Sequence, residues 1–125
     1  MQPASTLIVG IDHVQLAAPA GCEQHARDFY GRLLGLPEIV KPEALRKRGG
    51  CWFQCGTQQL HIGVDADFHS AKKAHPAIAV SDLDTLRQRF AAAGISVQDD
   101  DAIPGTLRFY AEDPWGNRLE FVQAP

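Results

Sequence analysis

The sequence predicts an α+β domain: paired βαβββ modules forming a cupped, partly open mixed sheet, with helices on the convex face. Three observations predict it. A strand-like stretch followed by a helix-period stretch occurs twice, beginning near Leu7 and again at His75. Each is followed by short alternating runs separated by Gly, Pro, Asn or Asp. The same order of elements therefore fills residues 7–64 and 75–122, with residues 65–74 as a linker. At 125 residues and 13.6 kDa the chain holds a single domain with a single core.

The elements follow in order. Leu7–Ala17 reads as the first strand, with Val14 and Leu16 on one face and His13 and Gln15 on the other. Gly21–Leu34 has helical period through Cys22, Ala26, Phe29, Tyr30 and Leu33, and Gly35 with Pro37 ends it. Glu38–Gly50 is hard to type. Its Arg46-Lys47-Arg48-Gly-Gly run reads as a mobile loop, either a solvated face or an anion-attracting rim over a pocket. Cys51–Cys55 and Gln58–Val64 form a hairpin that places His61 beside Gln59 and Gly63, opposite Leu60 and Ile62. Asp65–Ala74 is polar and aperiodic. His75–Val80 is a strand, and Ser81 caps a helix whose stripe is Leu83, Leu86, Phe90 and Ala93. Ile95–Val97 is a short strand, followed by a solvated acidic tip, Asp99–Asp101. The chain closes with strand, turn and strand: Leu107–Glu112, Asp113-Pro-Trp-Gly-Asn117, and Arg118–Val122.

Composition narrows the function. A net charge of −3 argues against a nucleic-acid partner. No apolar run is long enough to span a bilayer, so no membrane partner is expected. The start, MQPASTLIVG, lacks a basic n-region and a sustained apolar run, so a cytoplasmic location is expected. Cys22, Cys51 and Cys55 suit small buried hydrophobes in a reducing compartment. His25 and His69 read as solvated.

The alternation leaves His13, Gln15, Gln59, His61, His75, Arg118 and Glu120 on the face opposite the apolar residues. The repeat pairs His13 with His75 and His61 with Glu120. Imidazoles and a carboxylate converging in a cleft suit a divalent transition metal: zinc, or iron, manganese or nickel where positions stay open. A lone strand histidine is usually only a polar-face residue; three histidines and a glutamate at repeat-related positions on one face are harder to dismiss.

Ile11-Asp12-His13-Val14, Phe29–Leu36 (FYGRLLGL), Val80–Asp84 (VSDLD) and Asp113–Phe121 (DPWGNRLEF) together resemble the vicinal oxygen chelate superfamily, which includes glyoxalase I, fosfomycin-resistance thiol transferases, bleomycin-resistance proteins and extradiol dioxygenases. The resemblance covers nearly the whole chain. It implies metal ligands at His13, His75 and Glu120, with His61 at the fourth position, where glyoxalase-type members usually carry a carboxylate that doubles as base. It also implies a homodimer, with sites completed across or beside the interface.

The expected function is a metal-dependent lyase or isomerase, acting on a small molecule that chelates metal through adjacent oxygens. His61 and Glu120 are the expected catalytic groups, with Arg108, Tyr110 and Gln15 as substrate contacts. The metal would stabilise an enediolate or oxyanion while a base moves a proton. The alternatives are a metal-free drug-binding resistance protein, a thiol transferase and a dioxygenase.

Overall fold

A computed structural model describes residues 7–125. The first module contains β1 (His13–Ala18), α1 (Glu23–Ala26) running straight into a π-helical segment (Arg27–Leu33), β2 (Glu38–Ile39), α2 (Glu43–Arg46), β3 (Cys51–Cys55) and β4 (Gln58–Val64). The second contains β5 (Ala77–Val80), α3 (Leu83–Ala92), β6 (Gln98–Asp99), β7 (Arg108–Glu112) and β8 (Arg118–Gln123). Each module makes its own mixed four-stranded sheet, in the orders β1-β4-β3-β2 and β5-β8-β7-β6. The first and last strands of each module are parallel, and the remaining pairs are antiparallel. The repeat read from the sequence is thus the architecture.

One apolar core joins the two sheets. Phe90 of α3 packs edge-on against Phe109 and Phe121, and also meets Phe29. Tyr30 of the first helix packs on Phe53 of β3. Leu16, Leu60, Ile62, Leu119 and Phe121 are buried on the faces toward the helices, as the alternation predicts.

Several local expectations are corrected. The first helix widens to a π-helix, with Leu34 N–H bonded to Phe29 C=O at 2.9 Å. Gly31 lies at its centre, where a Cβ would make only an ordinary contact with the Phe53 ring at 3.5 Å. The cap of α3 is Asp82, not Ser81: Asp82 accepts from Thr85 N–H at 3.1 Å and from its hydroxyl at 2.8 Å. The short strand lies at Gln98–Asp99 rather than Ile95–Val97, because its pairing with Tyr110 and Phe109 sets its place. The acidic tip is partly neutralised, Asp99 by Arg87 at 2.6 Å and Asp100 by Arg108 at 3.2 Å.

A buried polar knot fixes one module against the other. Tyr30 donates its hydroxyl to Asp113 at 2.7 Å. Asn117 donates to Asp113 at 2.9 Å and to the Ala17 carbonyl of β1 at 2.8 Å, and accepts from Ala71 N–H at 3.0 Å. The other Asp113 oxygen accepts from Trp115 and Asn117 N–H, closing the turn. Burial, then the nearby Asp113 charge, pushes the Tyr30 hydroxyl well above its ordinary range, so it stays a donor.

Candidate functional site

The four residues singled out as ligands fall into two pairs, one per module. In the first, the His13 and His61 rings stack with centroids 4.1 Å apart, and the Trp52 indole stacks on the other side of His61 at 4.0 Å. Register explains this: Trp52 sits opposite His61 across β3 and β4, and His13 opposite Gln59 across β1 and β4. His61 is only 4% exposed although it lies on the polar face, because two rings cover it. Burial first, then the neighbouring His13, lowers its pKa, and Lys41 adds to that while Asp12 opposes it.

In the second pair, His75 Nε2 lies 2.9 Å from Glu120 Oε1. The other Glu120 oxygen accepts from Arg108 at 3.2 Å, and Arg108 also donates to the Tyr110 hydroxyl at 2.9 Å. Burial opposes ionisation of Glu120, but hydrogen bonds from His75, Arg108 and Tyr110 outweigh it and hold the carboxyl below its ordinary range. Tyr110 meets the His75 ring edge-on, and the Arg118 guanidinium lies 4.0 Å above the Tyr110 ring.

Each ligand-candidate imidazole has one nitrogen turned to a protein acceptor. His13 Nδ1 faces Asp12 at 2.9 Å, His61 Nε2 faces Gln59 Oε1 at 2.9 Å, and His75 Nδ1 faces the Lys73 carbonyl at 2.9 Å. Such a partner puts the proton on the bonded nitrogen and leaves the other as a lone pair, the arrangement that metal-binding histidines adopt. At His75 that second nitrogen faces the Glu120 carboxylate. Two acceptors at hydrogen-bond distance need a cation between them, either a proton or a metal. The donor set of imidazole and carboxylate therefore fits a divalent ion.

Convergence of all four on one point is not found within the chain: among the described residues, no three His, Cys, Asp or Glu side chains gather to hold a metal. Of the expected substrate contacts, Tyr110 borders the His75–Glu120 pair. Gln15 lies over Gly63, where a Cβ would come within 2.3 Å of its amide nitrogen. Arg108 is committed to Asp100, Tyr110 and Glu120, with its side chain 10% exposed, so it orients the carboxylate. Its Nε is buried without a partner. A cavity of about 670 Å³ runs along β7 past Tyr110 and Arg118 and touches none of the four ligand candidates. His25 and His69 are exposed. Trp52, Gln59 and the knot residues Tyr30 and Asn117 were missed as site-positioning groups. A tryptophan and a glutamine on the polar face of strands carrying His61 were the available signal.

The sequence pattern of the Glyoxalase/Bleomycin resistance protein/Dioxygenase superfamily matches residues 10–121. The chain belongs to that superfamily. A crystal structure of a protein from Bacillus anthracis assigned to the glyoxalase family is 55% identical, covers 97% of this chain and 99% of its own, and superposes with a TM-score of 0.93. Lactoylglutathione lyase from Agrobacterium tumefaciens shares the fold at 23% identity, covering 95% and 96% of the two chains with a TM-score of 0.74. The oxidase ChaP-H2 does so at 22% identity, covering 95% and 96%, with a TM-score of 0.71. No protein of curated function matches the sequence. A lyase and an oxidase thus share this fold, and among the described residues no helix is long and apolar enough to cross a membrane.

Proposed function

We propose that the protein is a divalent-metal-dependent enzyme of the glyoxalase-like type, acting as a lyase or isomerase on a small cytoplasmic molecule with adjacent oxygens. The observation that carries this reading is the hydrogen-bond pattern of the three candidate histidines: each has one nitrogen on a protein acceptor, and the second nitrogen of His75 faces the Glu120 carboxylate. His13, His61, His75 and Glu120 would hold the ion, and its identity among zinc, nickel, manganese and iron stays open. When bound, it supplies Lewis-acid stabilisation of negative charge developing on the substrate oxygens.

The chain's own groups do the rest. Glu120, held ionised by Arg108 and Tyr110, can accept a proton at Oε1 or Oε2. His61, its pKa lowered by burial under its covering rings, has its Nε2–H engaged by Gln59, so its Nδ1 serves either as the fourth ligand or, where the ion leaves it free, as a base. Gln15 and Tyr110 border the space beside these groups and would orient the substrate.

The pairing by module supports a homodimer in which His13 and His61 of one copy meet His75 and Glu120 of another. β1 and β5 are both outer strands with a free edge. Beside β1, Leu7, Ile8, Val9 and Ile11 are 96%, 77%, 101% and 66% exposed, an apolar strip that a second copy would cover.

A mixing experiment tests the reading. His13→Ala/His61→Ala and His75→Ala/Glu120→Ala chains are each expected to lose stoichiometric metal binding. Unfolded together and refolded, they are expected to recover one site per mixed dimer. No metal uptake by the wild type would remove the enzyme reading; uptake without recovery in the mixture would place the site within one chain. One observation favours a second reading, metal-free ligand binding: Arg108 already supplies Glu120 with a counter-charge.

A further inference from the structure

We propose that Lys41–Gly50 is a fixed cationic arm that selects substrates carrying a negative charge, such as small carboxylates or phosphates. The proposal rests on the reading above only for where the reacting end of the substrate sits.

Lys41, Arg46, Lys47 and Arg48 face only Glu43 within the arm, a local net charge of +3 in a chain of net −3. Elsewhere cations are largely neutralised: Arg27 by Glu38, Arg32 by Asp28, Lys72 by Glu112, Arg87 by Asp99 and Arg108 by Glu120. Among the described residues, none of the four arm cations has a carboxylate partner. Lys41 and Arg46 donate instead to the carbonyls of Gly49 and Lys41, and Lys47 and Arg48 are exposed.

The arm is not wholly irregular, as its composition would allow. It contains α2, and both its ends are tied. Lys41 bridges to Gly49, while Gly50 N–H donates to the Glu23 carboxylate at 2.7 Å. Gly49 and Gly50 take left-handed φ values of 75° and 87°. A Cβ on Gly50 would lie 2.0 Å from the Ile62 carbonyl oxygen, so the arm is pressed against β4 one residue from His61. The Lys41 charge is felt at the His61 imidazole. Four cations without a carboxylate partner, on an arm whose end packs against the strand that carries His61, make a positive rim on an acidic molecule. Such a rim raises the local concentration of anions and rejects neutral analogues. A solvated face would need neither the anchoring nor the crowding of like charge.

The test uses mandelate and neutral mandelamide, which share a ring and adjacent oxygens and differ in charge. Each is titrated into the full-length protein, with and without one equivalent of zinc, following the backbone amide resonances. Mandelate is expected to bind at least about fivefold tighter than mandelamide, to shift the amides of residues 46–50, and to lose its advantage in 0.5 M salt. Arg46→Gln/Lys47→Gln/Arg48→Gln is expected to bring the two ligands within about twofold. Lys47→Gln/Arg48→Gln, which leaves the Arg46 bond to Lys41 intact, is expected to lose about half of the preference on a logarithmic scale. Preference unchanged in both variants overturns the arm, as does tighter arm-dependent binding of a single-stranded oligonucleotide than of mandelate. A charge preference indifferent to zinc keeps the arm and undermines the metal centre; zinc-dependent binding without a charge preference does the reverse.

Discussion

In the first module two imidazoles and an indole lie face to face; in the second one imidazole is locked into a line of charges running His75, Glu120, Arg108, Asp100. The scaffolds are the same, with parallel outer strands and matching register, so the difference lies in what stands beside each histidine. Trp52 opposite His61 gives a site held by dispersion and ring shape. Tyr110 opposite Glu120 gives one held by hydrogen bonds and charge. The first resists salt and yields to acid through a single imidazole. The second is set by the ionisation of a carboxylate. A duplicated fold can thus supply two unlike halves of one centre.

The largest effect should come from breaking what both halves share. Asp113→Ala removes the acceptor for Tyr30, the Asn117 amide and two turn N–H groups, and is expected to cost about 3–5 kcal/mol in chemical denaturation. A loss below about 1 kcal/mol would mean the knot does not hold the modules.

Next is the charged half alone. Glu120→Gln keeps the shape but strips Arg108 and His75 of their shared carboxylate, at an expected cost of about 2–3 kcal/mol. Arg108→Met in the same background should then cost less than in the wild type, since only its contacts to Asp100 and Tyr110 remain to be lost. If the two losses simply add, the charged line is not a unit.

Acid should separate the halves in the metal-free protein. The folded state lowers the His61 pKa from an ordinary value near 6.5, so its contribution is complete above that value and declines as pH falls below it. The folded state also lowers the Glu120 pKa, so that contribution is complete above about 4.5 and is lost only as pH falls further. Stability in chemical denaturation should therefore begin to fall below about pH 6.5 and fall further below about pH 4.5, with the first step lost in His61→Gln and the second in Glu120→Gln; persistence of the first step in His61→Gln would refute the contrast.

The smallest effect is expected at the stack. Trp52→Leu keeps an apolar side chain and should cost about 1 kcal/mol, with no change in salt dependence. A marked new salt dependence would show that the stack was screening charge rather than packing.

Much of this was legible from period and turn chemistry. The alternation around Leu119 and Phe121 gave the face of Glu120, and Asp113-Pro-Trp-Gly-Asn117 gave the turn that sets its register. What stayed hidden depends on partners distant in sequence. Arg87 neutralises Asp99 across the fold, Tyr30 reaches Asp113, and Asn117 reaches Ala17, and no local window contains both members of such a pair. The loop at Lys41–Gly50 was untypable for the same reason: Glu23 and Ile62 hold its glycines. The splitting of the four ligand candidates into pairs follows from each module forming its own sheet, which a period count does not distinguish from one continuous sheet.

The linker carries one further consequence, for how copies trade places. Ser70 bonds to the Trp115 carbonyl, Ala71 to Asn117, and Lys72 to Gly116 and Glu112, so residues 70–72 belong mechanically to the second module. Asp65 N–H bonds to the Ala18 carbonyl of β1, so only residues 66–69 are left as a hinge. Exchanging modules between two chains would require opening the Asp113–Asn117 knot before that short hinge could stretch. In the homodimer proposed above, labelled chains mixed under native conditions should therefore change partners as whole subunits, each keeping its own Asn117–Ala17 bond.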